Sequence, residues 1–138
     1  MYKFLKIDLK NKTATLIDDG TTKLDLTTVD SIVDAIISII SDPEAFKNRT
    51  LLIHDFFASQ RDVLQVAEQV LGTKFEISHI DSETLEKETE EPPLIQAAMI
   101  GKTSTAGWGE DDDSKALGLK KKDIAEVTIK VAKQLGLY

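Results

Sequence analysis

The sequence contains no cysteine, which excludes a disulfide framework, a thiolate metal site and a cysteine nucleophile. Basic residues are scarce: 17 Lys+Arg against 24 Asp+Glu leave a net charge of −7. With a pI near 4.8, the chain lacks the clustered positive charge that nucleic acid or anionic lipid would require. Long apolar runs are missing too, and the longest, such as residues 36–40, fall far short of a bilayer span. Charges at Lys3, Lys6 and Asp8 break up the apolar stretch that a signal peptide needs. The expectation is a cytoplasmic protein with no nucleic-acid or membrane partner, whose partners are neutral, basic or small.

What is present suffices for one domain spanning residues 1–138. A chain of 138 residues can bury roughly two-thirds of the surface its unfolded form exposes. Residues 2–9 and 13–17, separated by Lys10-Asn11-Lys12, read as an antiparallel hairpin. Asp18-Asp19-Gly20 is a turn signal, and Leu24 and Leu26 alternate with Lys23 and Asp25 in a third strand, which suggests a small meander.

From Thr28 the period becomes helical. Val29, Ile32, Val33, Ile36, Ile37, Ile39 and Ile40 follow a threonine N-cap, and Asp42-Pro43 ends the run, with one further turn over residues 43–46. The helix is apolar around much of its circumference, so contacts on more than one side are expected. Residues 50–54 form a short apolar run suited to a buried parallel strand. Ser59 with Asp62 makes a carboxylate capping box for a second helix that stops at Gly72, and Phe75, Ile77 and His79 share one face of the next strand.

The middle of the chain therefore alternates helix, strand, helix, strand. The fold class is α/β with an α+β appearance: antiparallel strands first, then this alternation, then C-terminal helices. Residues 82–90 read as an acidic helical turn or two and 94–100 as a short apolar helix. Residues 101–118 form an irregular loop around the only tryptophan, and an amphipathic helix over 121–134 carries Ile124, Val127, Val131 and Leu135 on one seam.

The motif search excludes more than it finds. No Gly-x-Gly-x-x-Gly follows a strand, and Gly20, Gly72 and Gly101 belong to no phosphate-binding cluster. Ser59 lacks a nucleophile elbow, and His54 and His79 show no zinc spacing, so no metal is expected. Residues 110–113 lack the spaced ligands of a calcium loop and read as a solvated acidic run. His54, ending an apolar run, is the candidate acid/base. Phe56, Phe57 and Trp108, the last flanked by Gly107 and Gly109, are the candidate substrate-binding walls. His79 reads as a histidine on a strand face.

Several stretches together resemble a known family. They are Asp19-Gly20-Thr21-Thr22-Lys23, residues 26–32, Ser41-Asp42-Pro43-Glu44, Lys47-Asn48-Arg49 and residues 58–62. Leu71-Gly72-Thr73-Lys74, Gly107-Trp108-Gly109-Glu110 and Leu117-Gly118-Leu119 with the Asp123 helix continue the series. Their order and spacing resemble the fungal NmrA-like and isoflavone reductase-like branch of the atypical short-chain dehydrogenases, over the second half of that family's length. The resemblance implies NAD(P) in full-length relatives, bound by an N-terminal Rossmann half with a glycine-rich loop and a reductase lysine that no position here matches.

For this chain alone no cofactor site is therefore expected. The resemblance also implies that the helix over 32–40 and the 51–53 run pack against Rossmann elements, so a homodimer, completion by another chain or a rearranged self-contained α/β fold should cover them. The first functional expectation is a truncated NmrA-like domain that binds a small apolar molecule or a protein partner. The alternatives are a non-redox isomerase, cyclase or lyase on the remaining pocket, or a portion of an NAD(P)-dependent isoflavone reductase-like oxidoreductase.

Overall fold

The computed structural model describes residues 5–88 and 112–138. Its first hairpin joins β1 (Ile7–Asp8) to β2 (Thr13–Ile17) in antiparallel register, with Ile7 opposite Ala14. The turn closes because the Asp8 carboxylate accepts from the Lys10 and Asn11 amides, both at 2.9 Å, the local bonding that favours Asp in turns. On its other side β2 pairs in parallel with β5 (Glu76–Ile80), giving a three-stranded sheet ordered β1-β2-β5.

The expected meander does not form. β3 (Lys23–Leu26) leaves the sheet after the turn at Gly20 and pairs antiparallel with β4 (Phe56–Ser59) in a separate two-stranded sheet. The reason lies in side-chain alternation: Leu24 and Leu26 pair with Ala58 and Phe56, and all four are buried. Asp25 and Phe57 share the opposite face.

Among the described residues, three longer helices join these sheets. Helix α1 (Val29–Ser41) begins on Thr28, whose hydroxyl accepts from the Ser31 amide, and stops before Pro43. The single turn α2 (Pro43–Phe46) follows, as expected. Helix α3 (Gln60–Leu71) starts with the expected capping box and ends on Gly72 at φ 61°, a left-handed cap that favours glycine. Hydrogen bonds from Ser59 hold the Asp62 carboxyl below its ordinary range despite partial burial. After α4 (Ser82–Glu88), helix α5 (Ile124–Gln134) packs on α3 through the fully buried Thr128 and Ala132. It starts three residues later than expected because Asp123 is its cap. Leu135 is half-exposed beyond its end, and Leu137 packs on the core instead.

Other expectations need correction. Residues 50–54 form no strand; their backbone is taken up elsewhere, with Leu52 N–H donating to Asp113 Oδ2 at 2.9 Å and Leu52 O accepting from Asp113 N at 2.7 Å. Phe75 is buried ahead of β5, but Ile77 and His79 on β5 are exposed. His79 Nδ1 lies 3.0 Å from the Asp18 carbonyl oxygen. Of the run at 110–113, Asp112 and Asp113 are not solvated but tied into the fold. Residues 94–100 and Trp108 lie outside the described residues.

One polar side chain stitches the core together. Gln60 is buried, accepts from the Ile17 amide at 2.9 Å, and donates to the carbonyls of Leu5 at 2.8 Å and Thr15 at 3.0 Å. It joins the start of α3 to β2 and the segment before β1, among Leu5, Leu16, Val63 and Leu64. Gln60→Ala leaves three backbone groups without this partner, so stability should fall by roughly 3 kcal/mol. Urea denaturation checks this, with the exposed Gln65→Ala expected to stay within about 0.5 kcal/mol of wild type.

Candidate functional site

The candidate acid/base, His54, sits where three segments meet. Its side chain is about 10% exposed, and Nδ1 lies 3.1 Å from Asp25 Oδ1 of β3 and 3.4 Å from Asp112 Oδ2 of the C-terminal segment. No well-aligned hydrogen bond takes Nδ1, so the two carboxylates flank the ring nitrogen rather than either one fixing it. Lys121 completes the cluster. Its ammonium bonds to Asp112 and donates to the His54 carbonyl oxygen at 2.9 Å.

Burial pushes the Asp112 carboxyl up. The hydrogen bonds from Lys121 and from the Ser114 hydroxyl and amide outweigh it and hold the group below the ordinary carboxylate value. The neighbouring Asp113 pairs with Arg49 at 2.7 Å. Residues 112–121 are thus strapped by side chains across the segment 49–54. Among the described residues, no group of three or more His, Cys, Asp or Glu is arranged to hold a metal ion. The Lys121 ammonium already provides a cation at Asp112.

The other candidates are not brought together. Phe56 faces the core, whereas Phe57 is 45% exposed on the opposite face, with the Lys23 ammonium 5.8 Å from its ring centre. Neighbours along a strand point to opposite sides, so the pair cannot form one pocket wall. Trp108 lies outside the described residues. Sequence reading missed Asp25, Asp112 and Lys121. The signal available for Asp25 was its place between Leu24 and Leu26, on the strand face away from the core.

A cleft of about 540 Å³ opens between α1, residues 117–122 and the start of α5. Ser31, Asp34, Ser38, Lys120 and Glu126 are among its lining residues. Leu117 and Leu119 line it as well, so the cleft is of mixed polar and apolar character.

A dinucleotide would need a helix start or a glycine turn with free amides for its phosphates. The starts of α1, α3 and α5 do not offer them. The α3 start is occupied by Ser59 and Asp62, and the α5 start by the Asp123 carboxylate. At α1, Thr28 caps the helix while its own amide donates to Asp55 Oδ2 at 2.6 Å. A carboxylate stands at each of these three helix starts, where it would repel an incoming phosphate.

With this geometry in hand, comparison with known proteins places the fold. It is a mixed α/β fold similar to part of a nucleoside-diphosphate-sugar epimerase from Staphylococcus aureus, with a TM-score of 0.61 at 13% identity, covering 83% of this chain and 43% of that one. No family model matches the chain. It is 23% identical over 145 residues to oxidoreductase poxI of Penicillium oxalicum, an alignment covering 94% of this chain and 46% of that protein. It is 27% identical over 143 residues to oxidoreductase aprR of Aspergillus flavus, covering 94% and 48% respectively. The chain spans about half the length of these curated relatives. Among the described residues, no helix is long and apolar enough to cross a membrane.

The Asp112 strap carries a pH signature. Because its carboxyl is held below the ordinary value of 3.8, it contributes stability at pH values above the unfolded-state pKa, and this is lost as pH falls through the lower folded-state value. Asp112→Asn should therefore cost about 1–2 kcal/mol at pH 7. That difference should shrink on acidification below 3.8, as read by urea midpoints of both proteins across the pH series.

Proposed function

We propose that this chain is the substrate-side portion of a cytoplasmic NAD(P)-dependent oxidoreductase of the NmrA-like, isoflavone reductase-like kind. The observation that carries this reading is the alignment of 94% of the chain with oxidoreductases about twice its length. The likeness to part of an epimerase is consistent with it at the level of fold. The blocked helix starts add a division of labour: the dinucleotide phosphates are held by residues other than those described. This reading takes precedence over that of a free-standing binder of small apolar molecules because the relatives that the chain matches are oxidoreductases.

Within the reading, His54 is the candidate proton-transfer group. Asp25 and Asp112 flank Nδ1 of its ring at 3.1 and 3.4 Å. Phe57 and Trp108 are the remaining candidates for contact with substrate. Phe56 is reassigned to packing, since it belongs to the core.

Two measurements test the proposal. Calorimetric titration of NADPH and NADH into the chain should give no saturable heat up to high micromolar cofactor, and saturable binding would contradict the division of labour. A chimera of oxidoreductase poxI with this chain in place of its aligned segment should bind NADPH within about tenfold of its parent, a difference of roughly 1.4 kcal/mol. A folded chimera without dinucleotide binding would contradict the oxidoreductase reading.

A further inference from the structure

His54 is met at one ring nitrogen by two acids. Nδ1 lies 3.1 Å from Asp25 Oδ1 and 3.4 Å from Asp112 Oδ2, and the two carboxylate side chains are 1% and 7% exposed. Water therefore screens these contacts little. The sign of the interaction depends on what Nδ1 carries. A bare nitrogen would set its lone pair beside two negative oxygens at once, whereas an N–H in the same place is attracted by both.

The other charges around the ring are engaged elsewhere. Lys121 bonds to Asp112 and to the His54 carbonyl oxygen rather than to the ring. Asp55, next in sequence, accepts from the Thr28 amide and the Ser31 hydroxyl, and Asp113 pairs with Arg49. Lys23, two residues before Asp25 on β3, has its ammonium 5.8 Å from the centre of the Phe57 ring.

We propose that Asp25 and Asp112 are positioning residues for His54: together they keep a proton on Nδ1, so that Nε2 is the ring nitrogen that takes up and releases a proton. This deepens the reading of His54 as the proton-transfer group and rests on it for its use in a reaction, whereas the tautomer is a property of this chain alone. The charges also give the exchange a direction. With the ring neutral, the two carboxylates and the Lys121 ammonium carry one negative charge between them. A proton added at Nε2 cancels it, so the imidazolium is stabilised as it forms. His54 is thereby a base at Nε2 and retains its Nδ1 proton in both charge states.

Isotope labelling of the ring nitrogens tests this with neither substrate nor cofactor, so its failure is distinct from failure of the calorimetric or chimera experiments. Long-range proton–nitrogen correlation spectra separate a protonated ring nitrogen from a bare one. The sequence has only two histidines, and His79→Gln assigns the His54 signals. At a pH where the ring is neutral, the wild-type chain should show Nδ1 protonated and Nε2 bare, the reverse of the form that a histidine free in water favours.

Asp25→Asn and Asp112→Asn each place an amide that can donate to a bare Nδ1, and each should move the tautomer ratio toward the Nε2–H form by roughly fivefold or more. If Asp25→Asn does not fold, Asp112→Asn carries the test. Asp113→Asn, on the same segment but bonded to Arg49 and Leu52, should keep the wild-type ratio. A wild-type ring with its proton on Nε2 overturns the proposal. An unchanged ratio in the folded Asp25 and Asp112 variants also overturns it, as does an equal change in Asp113→Asn, which would trace the tautomer to the segment as a whole.

Discussion

The Asp55 carboxylate decides where the apolar surface of this protein points. Buried just before β4, it accepts from the Thr28 amide and the Ser31 hydroxyl, both at 2.6 Å, while its own amide donates to Leu26 O at 2.8 Å and prolongs the β3–β4 ladder. A buried carboxylate is tolerable only with such partners, and these belong to the first turn of α1. The sheet thereby sets the rotation of the helix, which presents serine and alanine to the body and isoleucine and valine to solvent. This exposed aliphatic face follows from polar bonding on the opposite one.

Carboxylates set much of the remaining geometry as well. Asp62 and Asp123 close the starts of α3 and α5, Asp8 shapes the first hairpin, and Asp112 and Asp113 strap the C-terminal segment onto residues 49–54. The excess of acids that argued against nucleic acid is thus partly structural. Its functional consequence lies at the helix starts, where acids hold the amides a nucleotide phosphate would use. Within the proposed oxidoreductase reading, that is the physical ground for placing the dinucleotide phosphates on other residues.

Features that depend on near neighbours were legible in the sequence. Thr28, the Ser59–Asp62 box, the Asp42-Pro43 stop and the Gly72 cap are each encoded within four residues and stand as expected. What depends on distant partners was not. The run at 51–53 has the composition of a strand, yet Leu52 bonds through both its backbone groups to Asp113, and the Ile53 carbonyl accepts from the Thr27 hydroxyl. The breadth of the α1 apolar face showed that it needed contacts on more than one side, but only the bonds of Ser31 to Asp55 and of Ser38 to Leu117 reveal which side faces inward. At the site, His54 was legible as the end of an apolar run. Its partners Asp25 and Asp112 are 29 and 58 residues away in sequence, a pairing that no local pattern announces.

Since the chain has no cysteine, the rotation of α1 can be read directly from two single-cysteine variants, Ala35→Cys and Ile36→Cys. Thiol labelling would be compared under native conditions. The account predicts rapid labelling at position 36 and strong protection at position 35, whose alanine is 5% exposed. Equal labelling rates in two folded variants, or faster labelling at 35, would contradict the orientation of α1 and the surface derived from it.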